Sequence, residues 1–260
     1  MVEELFEKLS ELPQVEAIAL GGSRAGTEFD ANSDYDVYLY CTQAVDIETR
    51  RAILTEYCSY TELGNSYWET EDNCKLNNGV DIDILYRNLD DFVSGVADVV
   101  ENCNAHNGYT TCMWHNLKTC KIVFDRNGRL ARAKARFDVS YPQRLKQNII
   151  TRGLNLLHNA MPAYDAQIAK AVKRDDKVSI NHRTAAFLES YFDVIFAYNE
   201  LTHPGEKRLV KLCKRDCKAL PTDFEKNLNK LFADMFANPQ YIARDLEQIV
   251  LRLNEMVNKR

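Results

Sequence analysis

The chain has 260 residues, 45% of them hydrophobic and 27% charged, with 10 Gly and 6 Pro. This composition suits a soluble chain forming one large or two modest domains, and excludes disorder, collagen-like repeats and a disulfide mini-scaffold. The net charge of -5 conceals an asymmetry: residues 1–100 carry 21 acidic against 6 basic side chains, a net of -15, while the remainder carries 17 against 27, a net of +10.

Taken in chain order, residues 2–12 place apolar side chains at 2, 5, 6, 9 and 12, a helical period that Pro13 ends. The opening Glu3, Glu4 and Glu7 stand where a secretory leader would need basic residues, and no run of about 18 uncharged apolar residues occurs anywhere. A cytoplasmic, non-spanning protein is therefore expected, its eight cysteines reduced and most of them packed in the core. Residues 15–20 read as a buried strand running into Gly21-Gly22, and residues 35–41 alternate as a second strand. Helical periodicity follows over 46–60. Runs at 67–76 and 80–86 flank Asn77-Asn78-Gly79, a hairpin turn signal, and 89–100 is helical again.

Beyond residue 125 the strand signal disappears. Amphipathic stretches at 142–158, 163–174, 183–201, 206–218, 223–236 and 242–257 predict an all-helical second half. Pro142 and Pro204 fall near first helical turns, and Thr222-Asp223-Phe224-Glu225 reads as a capping box. The predicted division is an α/β domain over 1–124, a mixed sheet with flanking helices, and an all-α helical bundle over 125–260.

Three elements carry chemistry. The Gly21-Gly22-Ser23 turn leaves a strand with no side chains to keep backbone N–H groups away from a phosphate. Asp34 and Asp36, two residues apart at the start of a strand, point to one face and can reach one divalent cation. Asp81 and Asp83 repeat that spacing in the apolar run Val80-Asp81-Ile82-Asp83-Ile84-Leu85, where carboxylates are costly unless paired or bound to metal. An exposed sheet face is the competing explanation of the second pair.

In that order, these elements resemble the DNA polymerase beta nucleotidyltransferase superfamily: a Gly-Ser turn, ten residues (24–33), Asp-x-Asp, and a third acid on a later strand. Within it the chain looks most like the aminoglycoside and lincosamide nucleotidyltransferases and uncharacterised bacterial relatives with a C-terminal helical domain. The stretches that resemble the latter are Asp83-Ile84-Leu85-Tyr86-Arg87-Asn88-Leu89-Asp90, Tyr141-Pro142, Arg174-Asp175 and Pro204-Gly205-Glu206-Lys207-Arg208-Leu209. The resemblance implies that Gly22 and Ser23 hold the β- and γ-phosphates of ATP and that Asp34 and Asp36 bind Mg²⁺, with two ions in all. It makes Asp83 the third metal acid and candidate general base, with Asp81 the alternative, and it assigns Lys207 to the triphosphate. Gly26 follows Ala25 directly, a departure from the relatives' Gly-Ser-Arg-Ala-x-Gly.

The implied reaction moves a nucleoside monophosphate from ATP to a hydroxyl of a small molecule and releases pyrophosphate, the helical domain closing over the site. The acidic first half suits a cationic, aminoglycoside-like acceptor and so a role in antibiotic resistance. Two alternatives stand beside it: nucleotidylation of RNA or protein, and a non-catalytic nucleotide-binding module. A basic stretch at Arg126, Arg129, Arg132, Lys134, Arg136, Arg144, Lys146 and Arg152 could track RNA, but aromatic side chains for base stacking are sparse there, and a solvated helix face is the simpler account. Cys213 and Cys217 share a helix face with no second ligand pair for zinc, and the five histidines are read as structural or surface. Trp68, Trp114 and Tyr109 either line an acceptor pocket or pack in the core.

Overall fold

Six strands form one mixed sheet, in the order β3-β4-β5-β2-β1-β6, in a computed structural model that describes residues 2–25, 33–67 and 69–259. They are β1 (Val15–Leu20), β2 (Tyr35–Cys41), β3 (Cys58–Asn65), β4 (Thr70–Leu76), β5 (Asp81–Arg87) and β6 (Lys121–Asp125). The sheet belongs to a first compact unit, Met1–Ala97 with Asn116–Val139; Asp98–His115 and Ser140–Arg260 form a second. Among the described residues, only β2 and β5 pair in parallel. A parallel pair needs a long crossover. Here the connection runs through α3 (Ile47–Tyr57) and the β3–β4 pair.

Period-2 alternation sorts the two sheet faces. Val37, Leu39 and Cys41 of β2, Ile82 and Ile84 of β5 and Ile18 and Leu20 of β1 are buried together against α1 (Val2–Ser10) and α3. Each such aliphatic side chain contributes roughly 1.5–3 kcal/mol on leaving water. This apolar face also holds Asp72, fully buried on β4. Its Oδ1 accepts from Arg50 Nη1 at 2.6 Å and the Gly64 N–H at 2.8 Å, and its Oδ2 accepts from the Tyr86 hydroxyl at 2.7 Å. The other face carries Asp36, Tyr38 and Tyr40 on β2, Asp83 and Arg87 on β5, and Glu71 and Asn73 on β4.

The short α2 (Gly22–Ala25) follows β1, and α4 (Leu89–Val100), α5 (Cys112–Thr119) and α6 (Arg129–Arg136) follow β5 and flank β6. The second unit contains α7 (Gln143–Leu154), which runs on through a π turn at Asn155–Asn159, then α8 (Tyr164–Lys173), α9 (Lys177–Tyr198), α10 (Leu209–Asp216), α11 (Phe224–Ala237) and α12 (Ile242–Val257). Phe187, Tyr191, Val194 and Ile195 of α9 are fully buried in this unit's core, beside Leu228 and Leu231 of α11 and Leu246 and Ile249 of α12.

The fold class matches the sequence reading, with local corrections. The helix expected over 46–60 stops at Tyr57, and Cys58 begins β3, whose pairing with β4 outweighs the local helical period. The helix expected from residue 183 starts at Lys177, because Asp176 caps it by accepting from the Ser179 N–H at 3.0 Å. The Thr222 capping box does not form. Asp223 occupies the cap position in a left-handed conformation (φ 57°) without a side-chain cap bond. The helix expected from 206 begins at Leu209, so Pro204 and Lys207 precede its first turn.

Candidate active site

β1 ends at Leu20 and the chain turns through Gly21 and Gly22 directly over β2. The Gly21 N–H donates to the Asp36 carbonyl at 2.8 Å, so the turn is fastened to the strand that bears the acid. A Cβ on Gly21 would lie 2.4 Å from Cε2 of Tyr38, and one on Gly22 would lie 1.8 Å from Oδ2 of Asp36. Gly22 also has φ +55°, a conformation that L side chains rarely adopt. Both glycines are thus required by the side chains beneath them, and the Asp36 carboxylate lies against bare backbone.

Asp36 is the direct cross-strand partner of Asp83 in the parallel β2–β5 pair. Adjacent strands lie about 4.8 Å apart, so the two carboxylates share one face within reach of a single cation. Like charges set opposite each other are otherwise destabilising. Asp34 is exposed and lies one residue ahead of β2. Among the described residues, no three His, Cys, Asp or Glu side chains gather into a metal-binding group. A hard-oxygen pair beside exposed backbone still fits Mg²⁺, which is usually bound by one or two carboxylates together with substrate phosphates.

Asp81, the alternative third acid, is exposed at the start of β5 and bound by Lys75 across the hairpin. Asp83 instead accepts from Asn73 Nδ2 at 2.7 Å, and Asn73 Oδ1 accepts from Asn65 Nδ2 at 2.7 Å. This amide chain orients one oxygen of Asp83 and was not picked out in the sequence. Its signal lies in β4, where Glu71 and Asn73 alternate with Asp72 and Cys74. Glu71 is buried on the same face, its carboxyl pushed above the usual range first by burial and then by the Asp83 charge. Arg87 supports the far side. It makes two bonds to Glu69, at 2.6 and 2.9 Å, donates to Asn116 at 3.2 Å and lies 4.1 Å over the ring of Tyr38, the side chain beneath Gly21.

Ser23 belongs to α2, and only its backbone is described. Arg24 stacks 3.7 Å over the Tyr35 ring and donates to the Ser33 carbonyl at 2.6 Å, joining the two ends of the loop; Gly26 lies outside the described residues. Lys207 is exposed in the turn before α10, in the second unit. Trp114 is buried against Tyr141, at 5.4 Å between ring centroids, and Trp68 lies outside the described residues. Much of the basic stretch is engaged within its own unit. Arg126 donates to the carbonyls of Val15, Ser10 and Leu12, Arg129 pairs with Glu16 and Asp90, and Lys146 pairs with Glu200. No helix among the described residues is long and apolar enough to cross a membrane.

Residues 110–209 match a family described as a domain of unknown function (DUF4037). No protein of curated function matches the chain. Solved structures similar to it include a nucleotidyltransferase-like protein from Exiguobacterium sibiricum, at 10% identity and a TM-score of 0.44, over 99% of this chain and 74% of that one. An aminoglycoside 6-adenyltransferase from Bacillus subtilis is similar at 9% identity and a TM-score of 0.31, over 100% of this chain and 91% of that one.

Proposed function

We propose that the sheet unit is the catalytic part of a nucleotidyltransferase that moves AMP from ATP to a hydroxyl of a small molecule and releases pyrophosphate. The observation that carries this reading is the pairing of Asp36 with Asp83, beneath a two-glycine turn whose backbone rests on the Asp36 carboxylate. Mg²⁺ held by Asp36 and Asp83, with Asp34 beside them, would offset the charge that develops on the triphosphate. The Gly21-Gly22-Ser23 backbone, free of side chains on two of its three residues, is where the β- and γ-phosphates can approach the main chain. Asn73 donates to Oδ1 of Asp83 and orients the carboxylate, which would help hold the metal and take the acceptor's proton. The acceptor oxygen then bonds to the α-phosphorus as the bond to the pyrophosphate oxygen breaks, and no covalent enzyme intermediate is required.

A cationic acceptor, aminoglycoside-like in its charge, fits the net of -15 over the first 100 residues, because a surface of one sign concentrates the opposite sign. The test is pyrophosphate release from ATP and Mg²⁺ across a panel of hydroxylated small molecules, polyamine-bearing and neutral. The reading expects stimulation by cationic members and its loss in Asp36→Asn. Label from [α-³²P]ATP appearing only on RNA or protein would overturn the small-molecule assignment. No transfer to any acceptor would overturn the enzyme reading.

A further inference from the structure

A cavity of about 420 Å³ lies within the second unit, well apart in sequence from the acids just described. Its volume falls in the range of small-molecule sites, roughly 300–1,000 Å³. Leu188, Glu189 and Phe192 of α9 line it together with Leu228 and Phe232 of α11 and with Tyr109. Phe192 and Leu228 are buried, whereas Phe232 is 51% exposed, so an aromatic side chain stands at the opening with one side in water.

The backbone holds Tyr109 there deliberately. A Cβ on Gly108 would lie 2.8 Å from Cβ of Glu189, so only glycine lets the chain press against α9 at that point. One helical turn further on, Asp193 accepts from the Thr110 N–H at 3.2 Å and from the Thr110 hydroxyl at 2.7 Å. Between these two fastenings Tyr109 is held at φ 50°, a strained conformation for an aromatic residue. Arg208, another lining residue, also has a left-handed backbone, at φ 59°. Strain of this kind persists only where surrounding contacts impose it, and it concentrates at binding sites.

The charges in the cavity are unevenly placed. Glu189 is half-buried and, among the described residues, has no hydrogen-bond or ion-pair partner; burial pushes its carboxyl up, with His182 opposing. The Tyr109 hydroxyl is pushed up to about 12, first by burial and then by the charges of Glu189 and Glu206. Glu206, Arg208 and Lys211, which also line it, are all exposed and solvated, so Glu189 is the charged lining residue drawn out of water. An anionic ligand would meet the Glu189 carboxylate, whereas a protonated amine would pair with it and lie near aromatic faces that attract cations.

From this arrangement we infer that the second unit binds a small organic cation with an aromatic or apolar body, its ammonium at Glu189 and its body between Tyr109, Phe192 and Phe232. This site is independent of the nucleotidyl-transfer reading and stands if that reading fails. The test is calorimetric titration of the full chain with 2-naphthylmethylamine and with 2-naphthoic acid, probes of similar shape and opposite charge. The amine is expected to bind at least about tenfold more tightly than the acid, Glu189→Gln to weaken the amine about tenfold, and Phe232→Ala to weaken both probes. Equal affinity for the two probes, no binding of the amine, or unchanged amine binding in Phe232→Ala would overturn the proposal. Should Glu189→Gln fail to fold, the amine–acid contrast in the native chain and the Phe232→Ala variant decide alone.

Discussion

Replacing Gly22 with alanine probes the candidate site where it is tightest. The new Cβ would lie 1.8 Å from Oδ2 of Asp36, and real Cβ atoms essentially never approach closer than 3.0 Å, so the carboxylate or the turn must retreat by about 1.2 Å. The left-handed φ of +55° adds about 1–2 kcal/mol for a residue with a Cβ. At roughly 2–4 °C per kcal/mol, backbone strain alone lowers the Tm by about 2–8 °C. Displacing a reacting group by about an ångström costs on the order of 10²-fold in turnover. Calorimetry reads the first effect and pyrophosphate release the second. Gly95→Ala is the control: Gly95 is exposed within α4, nothing lies within 4 Å of its added Cβ, and the change is expected to stabilise by about 0.4–1 kcal/mol. If Gly22→Ala keeps the wild-type Tm and turnover, the packing of the turn on Asp36 is not what shapes the site.

Asn73→Ala releases the oriented oxygen of Asp83, and turnover or metal affinity should fall about 10–100-fold while urea unfolding changes little. Asp72→Asn leaves Arg50 buried without its counter-charge, and the unfolding free energy should fall by about 3–5 kcal/mol in urea titrations. Asp193 is pushed by burial up to about 6 from an ordinary 3.8, so its stabilising contribution is present below about pH 4 and is lost as the pH rises through 6. His203, pushed by burial down to about 3 from 6.5, acts in the opposite sense: its contribution is present above pH 6.5 and is lost as the pH falls toward 3. Comparing wild type with Asp193→Asn cancels the histidine. The wild type should lose up to about 3 kcal/mol relative to the variant between pH 4 and pH 7, as followed by chemical denaturation at each pH.

The central strands were legible because their burial is written locally. Ile18 and Leu20, Val37 and Leu39, and Ile82 and Ile84 all face the same core; the pairs of β2 and β5 show in the alternation of their own segments, and that of β1 in a short run buried along its whole length. β3 was not legible: beyond Cys58 its residues are exposed or half-buried, and it exists because β4 pairs with it. The long helices were readable from periodicity, and the start of α11 fell within one residue of its expected place, but α10 opens three residues late, after the left-handed Arg208, and α9 opens six residues early, at the Asp176 cap. In the candidate site, the acids and the glycine turn were visible as residue types. Their neighbours were not, because the pairing of Asp36 with Asp83 depends on register between strands more than 40 residues apart, and Asn73 reaches Asp83 only through a second pairing. The cavity at Tyr109 draws on residues from 109 to 232 and leaves no contiguous pattern at all.

Binding of a metal–nucleotide complex by the Asp36–Asp83 pair can be measured without knowing the acceptor. Titration of the full chain with α,β-methylene-ATP should show saturable binding in Mg²⁺ that weakens at least about tenfold when Mg²⁺ is removed and in Asp36→Asn or Asp83→Asn, with the fold of each variant confirmed by circular dichroism. Equal affinity in the variants, or no nucleotide binding by the native chain with Mg²⁺ present, would contradict it.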